Sequence, residues 1–238
     1  MIHWPPYINW QTEGLPSGLD IELVKAIFDT AGCRYRFMKV PFKRTLRDIE
    51  DGRLDGSPLI SHTEDRARYG HYSVPVRTEA IGAFTLRGRK GPKPASFSAL
   101  VASDLKVGVV LGGWYGQAFE AAMKENMAFR SRLTNFKDFE TLFKALEAGL
   151  VDIAINDVAG GHYVARQLMK ESEIALLPFF VHENEIYFFF SRKTVSVEDV
   201  GQLNLAITKF RASPAYNALL HRYLTGALPL QEAAAARN

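Results

Sequence analysis

Residues 61–66 read SerHisThrGluAspArg and combine two hydroxyl groups with one guanidinium group. The planar guanidinium of Arg66 can hold a carboxylate through two parallel hydrogen bonds, and Ser61 and Thr63 can add hydroxyl donors. Taken alone, the segment fits equally well a solvent-exposed arginine among other charged side chains. Ion pairs at such exposed positions contribute little to stability. The residue types therefore indicate a candidate carboxylate-binding segment.

A second candidate anion site is the glycine-rich segment GlyGlyTrpTyrGly, residues 112–116. It lies between a predicted strand over Lys106–Leu111 and a predicted helix over about Gln117–Asn126. Backbone N–H groups at a helix N-terminus can bind an anion, assisted by the helix dipole. The same segment also fits a plain tight turn.

Asp157 follows an apolar strand pattern and comes shortly before a helix predicted from about His162 to Met169. An aspartate in that position is typical of a helix N-cap, because its carboxylate accepts hydrogen bonds from the first backbone N–H groups. Trp4, Tyr7 and Trp10 lie close together in the first loop, where most of them are expected to be packing residues.

Motifs of common enzyme classes do not occur. The six histidines form no HisGluXxxXxxHis pair, and the chain has neither a Gly-x-Ser-x-Gly elbow nor a phosphate loop ending in Lys-Ser/Thr. We therefore expect that the protein binds no metal ion and no cofactor and that it is not an enzyme. Cys33 is the single cysteine, so no internal disulfide can form.

The elements that position these residues include a repeated segment. Residues 42–56 and 139–153 share the same pattern, with Gly52 and Gly149 placed 97 positions apart (149 − 52). Each copy predicts an amphipathic helix that ends at a left-handed glycine, followed by a short strand after an aspartate. The repeat indicates two similar α/β lobes, and a cleft between lobes is a common place for a small-molecule site.

The remaining elements follow from hydrophobic periodicity and turn residues. Further helices are predicted over residues 16–32, 197–212 and 214–224, and further strands over Tyr35–Val40, Ala80–Leu86, Leu176–Val181 and Glu185–Ser191. Strands that alternate with helices imply mainly parallel sheets.

Composition bounds the class of protein. The 238 residues are 47% hydrophobic with a formal net charge of +3, and Lys and Arg form no stripe, so nucleic acid is not an expected partner. No apolar run approaches the ~18 residues that a membrane-spanning helix needs. The chain starts abruptly, with strand character already at Ile2, and we expect a signal peptide to have been removed from it.

Four segments in order resemble one protein family. GlyLeuAspIleGluLeuValLysAlaIle (18–27), SerHisThrGluAspArg (61–66), TyrSerValPro (72–75) and ValAspIleAlaIleAsnAsp (151–157) are similar to motifs of the bacterial extracellular solute-binding proteins of family 3. These proteins are the receptors of polar amino-acid ABC transporters, and the resemblance covers essentially the whole chain.

The resemblance implies an α/β, two-lobed fold of the periplasmic-binding-protein type II kind. Each lobe would be a mainly parallel sheet flanked by helices, and two crossover strands would join the lobes. Lobe 1 would hold residues 1–86 and 187–238, and lobe 2 residues 87–186. The repeat supports two lobes independently, because one copy falls in each of these ranges.

The resemblance also implies roles for the candidate residues. Arg66 would hold the ligand's α-carboxylate, with Ser61 and Thr63 as hydroxyl donors, and Asp157 would accept hydrogen bonds from its ammonium group. The helix N-cap remains the alternative for Asp157.

The chain departs from the family at the glycine-rich segment. Where the family commonly has Gly-Thr-Thr, Gly113 and Trp114 stand here, so backbone donors can remain but the hydroxyls do not. One of Trp4, Tyr7 and Trp10 is expected to contact the ligand side chain, as an aromatic residue of this loop often does in the family. A cleft lined by such aromatic residues suits a planar, apolar or cationic ligand.

We therefore expect a monomeric, periplasmic solute-binding protein that closes on a small amino-acid-like or carboxylate ligand and delivers it to an ABC permease. Two alternatives stay open. The chain can be the ligand-sensing module of a signalling protein, or a dehydratase-like enzyme on cyclic carboxylates that uses Arg66 with His62 or Glu79. The ligand itself is not determined by the sequence.

Overall fold

The structure is a computed structural model that describes residues 4–10, 15–168 and 173–224. The helices are α1 (Leu19–Thr30), α2 (Phe42–Glu50), α3 (Glu64–Ala67), α4 (Phe97–Val101), α5 (Gln117–Glu125), α6 (Met127–Ser131), α7 (Phe139–Glu147), α8 (Val158–Leu168), α9 (Val197–Arg211) and α10 (Pro214–Leu224). The strands are β1 (Gly56–Ser61), β2 (Gly70–Tyr72), β3 (Arg77–Leu86), β4 (Val107–Val110), β5 (Leu133–Phe136), β6 (Ile153–Asp157) and β7 (Ile174–Ser191).

The chain divides into two compact units. Unit 1 holds the described residues within 1–78 and 184–228, and unit 2 holds those within 79–183. The chain passes between the units inside β3, at Thr78–Glu79, and inside β7, at Glu183–Asn184. Residues 79–86 thus group with unit 2 and residues 184–186 with unit 1, so the bounds differ from the predicted ones at these two places.

Both copies of the repeat fold as predicted, one in each unit. In unit 1, α2 ends before Gly52, whose φ is 78°, and β1 follows; in unit 2, α7 ends before Gly149, whose φ is 70°, and β6 follows. Both angles lie in the left-handed region that glycine enters without a steric penalty. The helix–glycine–strand order predicted from the sequence is therefore confirmed.

Helix α1 of unit 1 is fixed to the first loop by backbone hydrogen bonds. The carbonyls of Pro6 and Tyr7 accept from the N–H groups of Leu19 and Asp20, each at 3.0 Å. Gly18 has φ 116°, and a Cβ there would collide with both carbonyls. The Gly-Leu-Asp sequence thus lets the loop cap the helix N-terminus, whose N–H groups need acceptors.

The strands of unit 1 pair differently from the expectation. β1 and β2 both pair antiparallel with β7, in registers such as Gly56↔Phe190 and Tyr72↔Phe189. The strand predicted over Tyr35–Val40 is not formed. The pairing of β1 with β7 is itself interrupted, because its register shifts between Ser57 and Ile60, as at a β-bulge.

The sheet of unit 2 carries the parallel pairs. β4 lies between β5 and β6 and is parallel to both, and β3 pairs antiparallel with β6. Because Val107 is paired with Ile153, the carboxyl ends of β4 and β6 lie at one edge of this sheet. The glycine-rich segment after β4 and Asp157 at the end of β6 are therefore brought to the same edge, where ligands of open α/β sheets commonly bind.

Two predicted boundaries are wrong. Helix α8 begins at Val158 and not near His162, so Gly160 and Gly161 are helical. A Cβ on Gly161 would overlap the Phe84 ring, which explains a glycine at that position. Met169 lies outside the described residues. The strands predicted over Leu176–Val181 and Glu185–Ser191 are one continuous strand, since the polar residues between them stay extended within β7.

Candidate functional site

The candidate carboxylate-binding residues of unit 1 gather where β1 ends and α3 begins. Ser61 is the last residue of β1, and its Oγ accepts a hydrogen bond from Asn184 Nδ2 at 2.7 Å. Thr63 is the N-cap of α3, and its Oγ1 accepts from the Arg66 N–H at 3.3 Å. The guanidinium of Arg66 reaches back, and its Nη1 donates to the Ser61 carbonyl at 2.8 Å. The structure thus brings Ser61, Thr63 and Arg66 together as one cluster.

An aromatic group borders this cluster. The Tyr72 hydroxyl donates to the Ser61 carbonyl and accepts from the Thr63 N–H, both at 3.2 Å. The His62 ring lies 4.6 Å from the Tyr72 ring and 6.2 Å from the Tyr187 ring, between centroids. Burial, together with the hydrogen bond to Glu185, raises the pKa of Tyr187 to about 12. These rings place apolar surface next to polar donors. Neither Tyr187 nor Asn184 belongs to a motif that sequence analysis could single out.

The first loop is built around a buried ion pair. The Arg77 Nε lies 2.8 Å from Asp20 Oδ1, and both side chains are 3% exposed or less. The guanidinium carbon of Arg77 is 4.0 Å from the centroid of the Tyr7 ring. Tyr7 is therefore a packing residue over this pair, while Trp4 and Trp10 are half-buried. Sequence reasoning missed Arg77 and Asp20, since 57 positions separate them.

In unit 2, the glycine-rich segment is held by a tyrosine. The Tyr115 hydroxyl accepts from the Val110 N–H at 2.7 Å and donates to the Val110 carbonyl at 3.1 Å, and burial raises its pKa to about 12. A Cβ on Gly113 would collide with that hydroxyl. The Gly113 N–H already donates to the Val110 carbonyl at 3.1 Å. In this conformation the Gly113 N–H therefore already donates a hydrogen bond within the turn. No described residue accepts a hydrogen bond from the backbone N–H of Trp114, so of these two N–H groups the one of Trp114 remains as a donor for a ligand.

Trp114 is half-exposed and packs edge-on against His182, with ring centroids 4.7 Å apart. Gly116, the N-cap of α5, has φ 96°, and a Cβ there would collide with the His182 ring. His182 Nε2 is buried and has no hydrogen-bond partner among the described residues. His182 therefore fixes the end of the glycine-rich segment and the position of the Trp114 ring.

The environment of His182 predicts a pH effect on stability. Burial lowers its pKa below the ordinary value of 6.5, and the Glu183 charge acts in the opposite direction. The unfolded chain then binds more protons, so stability falls as pH drops below about 6.5. We expect His182→Gln to lose less stability than the wild type between pH 7.5 and pH 5, as measured by urea unfolding. His71, whose pKa is also lowered by burial, contributes equally to both proteins, and an identical pH slope in the two proteins would contradict the assignment.

Asp157 is buried, and its Oδ1 accepts a hydrogen bond from the Gly160 N–H at 2.6 Å. The N-cap interaction expected of an aspartate at this position is thus observed at the start of α8. The carboxylate lies at the same sheet edge as the glycine-rich segment, so the two candidate groups of unit 2 are neighbours along that edge. The cap fixes the carboxylate rotamer at that edge.

The described residues provide no cluster of three or more His, Cys, Asp or Glu side chains suited to a metal ion. Within the same residues, no helix is long and apolar enough to cross a membrane.

Solved structures share the fold at low sequence identity. A histidine kinase sensor domain similar to periplasmic binding proteins has a TM-score of 0.72 and 20% identity, covering 93% of this chain and 92% of that chain. The arginine-, lysine-, histidine-binding protein of Geobacillus stearothermophilus has a TM-score of 0.68 and 17% identity, covering 93% and 91%. An ancestral amino-acid-binding protein, a precursor of cyclohexadienyl dehydratase, has a TM-score of 0.70 and 20% identity, covering 93% and 91%.

These likenesses establish a mixed α/β fold of the periplasmic-binding-protein type II kind. No curated protein sequence matches the chain. The model of one family matches residues 1–132, more than half of the sequence. The chain belongs to the bacterial extracellular solute-binding proteins, family 3.

Proposed function

We propose that this protein is a monomeric, periplasmic receptor that binds a small amino-acid-like or carboxylate ligand and delivers it to an ABC permease, without catalysing a reaction. The observation that carries the proposal is the cluster of Ser61, Thr63 and Arg66 at the end of β1. A guanidinium and two hydroxyls held on one short turn match the two oxygens of a carboxylate.

The ammonium end of an amino-acid ligand requires an acceptor. Asp157 is a buried carboxylate held in one rotamer by its hydrogen bond from Gly160. An acceptor whose position is already fixed loses little entropy when a ligand binds. In unit 2, the Trp114 N–H lies just before the N-terminus of α5, where the helix dipole favours a negatively charged ligand group.

Trp114 also sets the expected ligand preference. A half-exposed indole stands where the family commonly has a hydroxyl residue, so polar side chains lose a hydrogen-bond partner and flat side chains gain a stacking surface. We expect weak or no binding of histidine, arginine and glutamine, and tighter binding of an aromatic or otherwise flat carboxylate.

A thermal-shift screen over amino acids, polyamines and aromatic acids measures this preference, because a ligand at 100 times its Kd adds ~2.7 kcal/mol to stability. Trp114→Thr, which restores a hydroxyl residue, is the matched variant and should move the preference back toward polar amino acids. Submicromolar affinity of the wild type for one of the three polar amino acids contradicts the expectation. Turnover of a cyclic carboxylate in the same samples would instead favour the dehydratase alternative.

The proposed function also implies a change in shape. A ligand that binds Arg66 through one end and Asp157 through the other favours those conformations that satisfy both groups. We expect the radius of gyration from solution X-ray scattering to fall when the cognate ligand is added.

Asp157→Ser is the informative variant for this measurement, since serine is also a good N-cap and keeps α8 stable. It should lose compaction more completely than binding, because Ser61 and Arg66 remain. An unchanged radius for the wild type at saturating ligand would contradict the closing mechanism.

A further inference from the structure

Unit 1 contains a cavity of about 440 Å³ that lies away from the carboxylate cluster. Its walls come from α1, from the extended residues 34–38, from the start of β1 and from the carboxyl-terminal end of β7. The volume falls in the range of small-molecule sites. The cavity meets β1 at residues 56–58, whereas the cluster begins at Ser61, the other end of the same strand.

The walls of this cavity are aromatic. Phe28 lies with its ring centroid 5.8 Å from that of Phe188 and 6.4 Å from that of Phe190. The same Phe28 ring is 5.7 Å from Tyr35, which in turn is 5.4 Å from Phe37. Edge-to-face and tilted rings at these distances leave flat apolar surface, which suits an aromatic body more than a polar chain.

Two of the segments that line the cavity, residues 34–38 and residues 56–58, are not paired with each other as strands. Residues 33–41 form no strand, and Pro58 has no backbone N–H to donate to a neighbouring segment. Ser57 Oγ donates to the Pro58 carbonyl at 2.9 Å, which occupies a further polar group of the edge. An apolar hollow with an open side is a candidate for occupation by a ligand.

The charge of the cavity selects the kind of ligand. Arg53 is already neutralised, because its Nη2 lies 2.7 Å from Asp48 Oδ1 and 2.6 Å from Asp51 Oδ2. Arg34 and Arg36 are exposed and have no hydrogen bond or ion pair with any residue that the structure describes. Two unengaged guanidinium groups beside an aromatic hollow are complementary to an anionic group on a flat molecule.

We propose that this cavity is a second small-molecule site, which binds an aromatic carboxylate or sulfonate with its ring among Phe28, Phe188 and Phe190 and its anionic group at Arg34 and Arg36. The site does not depend on the proposed function, since none of its residues belongs to the Ser61–Arg66 cluster. Asp55, the acidic residue of the lining, disfavours a second negative charge on the ligand.

The test uses 8-anilinonaphthalene-1-sulfonate, whose fluorescence rises in apolar surroundings, with the full chain. We expect one probe per protein and a Kd about tenfold higher for the double variant R34Q/R36Q, which corresponds to about 1.4 kcal/mol. Both arginines are exposed, so the variant should fold normally. K124Q/R130Q, which removes two exposed cations of unit 2, is the matched control and should bind as the wild type does. Arg66→Ala should also bind normally, which separates this site from the proposed one.

Methionine methyl NMR localises the probe. Met38 lines the cavity, whereas Met123 and Met127 lie in unit 2, so only the Met38 signal should shift among these three. Equal probe affinity in R34Q/R36Q and the wild type, or a shift confined to Met123 and Met127, would overturn the proposal. Slow hydrogen exchange at the amides of Arg36 and Met38 would overturn it too, because it would place the segment in the sheet and close the cavity.

Discussion

Replacing Arg77 with alanine is expected to lower the free energy of unfolding by about 3–5 kcal/mol, because the change leaves the Asp20 carboxylate buried without its partner. Arg77 and Asp20 are 1% and 3% exposed in their side chains, and two hydrogen bonds of 2.8 and 3.2 Å join them. The Tyr7 ring also loses the guanidinium that lies against it. Equilibrium unfolding in urea measures the loss.

The pH dependence of the variant provides a second check. Burial raises the pKa of Asp20, while the charge and hydrogen bonds of Arg77 oppose this rise. Without Arg77 the folded chain holds a proton on Asp20 more tightly than the unfolded chain does, so the loss of stability should be largest at neutral pH and should shrink as pH falls.

The double variant Asp20→Leu/Arg77→Met should recover most of the stability, since paired burial of apolar groups avoids the lone charge. A loss below ~1 kcal/mol for Arg77→Ala would contradict a structural role for the pair.

The repeat was predictable because its signals are local. Amphipathic spacing, a glycine at the helix end and an aspartate before a strand all act within about fifteen residues, and Gly52 and Gly149 adopt the left-handed conformation that the pattern requires. The N-cap role of Asp157 was equally predictable, because an aspartate before a helical run satisfies backbone N–H groups wherever it occurs.

The features that could not be predicted from the sequence depend on contacts between residues that lie far apart along the chain. Gly160 and Gly161 are poor helix formers, yet α8 includes both, and the Phe84 ring occupies the space that a Cβ on Gly161 would need. The pattern of Tyr35–Val40 predicts a strand, but a strand also needs a partner, and none of the described strands pairs with these residues. Neither fact is visible from the segment itself.

The candidate site likewise combines features that local sequence predicts with features that depend on distant residues. Ser61, Thr63 and Arg66 are close in sequence, so a single strand end and one helical turn suffice to bring them together. His182 contacts Trp114 within unit 2, and Asn184 contacts Ser61 within unit 1, and both residues lie in β7, far along the chain from the groups they contact. The Gly113 N–H, a predicted anion donor, is engaged by the Val110 carbonyl, which only the turn geometry reveals.

Arg66→Ala is expected to weaken binding of a carboxylate ligand by about 1.5–3 kcal/mol, the range for hydrogen bonds to charged groups. The guanidinium is part of a connected set, since it donates to the Ser61 carbonyl while its own backbone N–H donates to Thr63 Oγ1. A donor held in this way is already oriented before the ligand arrives, so its removal costs both charge and geometry. Isothermal titration calorimetry with the ligand from the thermal-shift screen measures the change.

Two variants separate the role of Arg66 from a general effect of charge. Arg68→Ala removes the same charge two positions away, from a side chain that is 79% exposed, and should leave the affinity unchanged because water screens it. Arg66→Lys keeps the charge but loses the planar fork, and should fall between Arg66→Ala and the wild type. If Arg66→Ala and Arg68→Ala weaken binding equally, the carboxylate responds to net charge alone and the cluster at the end of β1 does not bind it. If Arg66→Ala binds as tightly as the wild type, the carboxylate lies elsewhere, and the N-terminus of α5 with its Trp114 N–H becomes the group to test next.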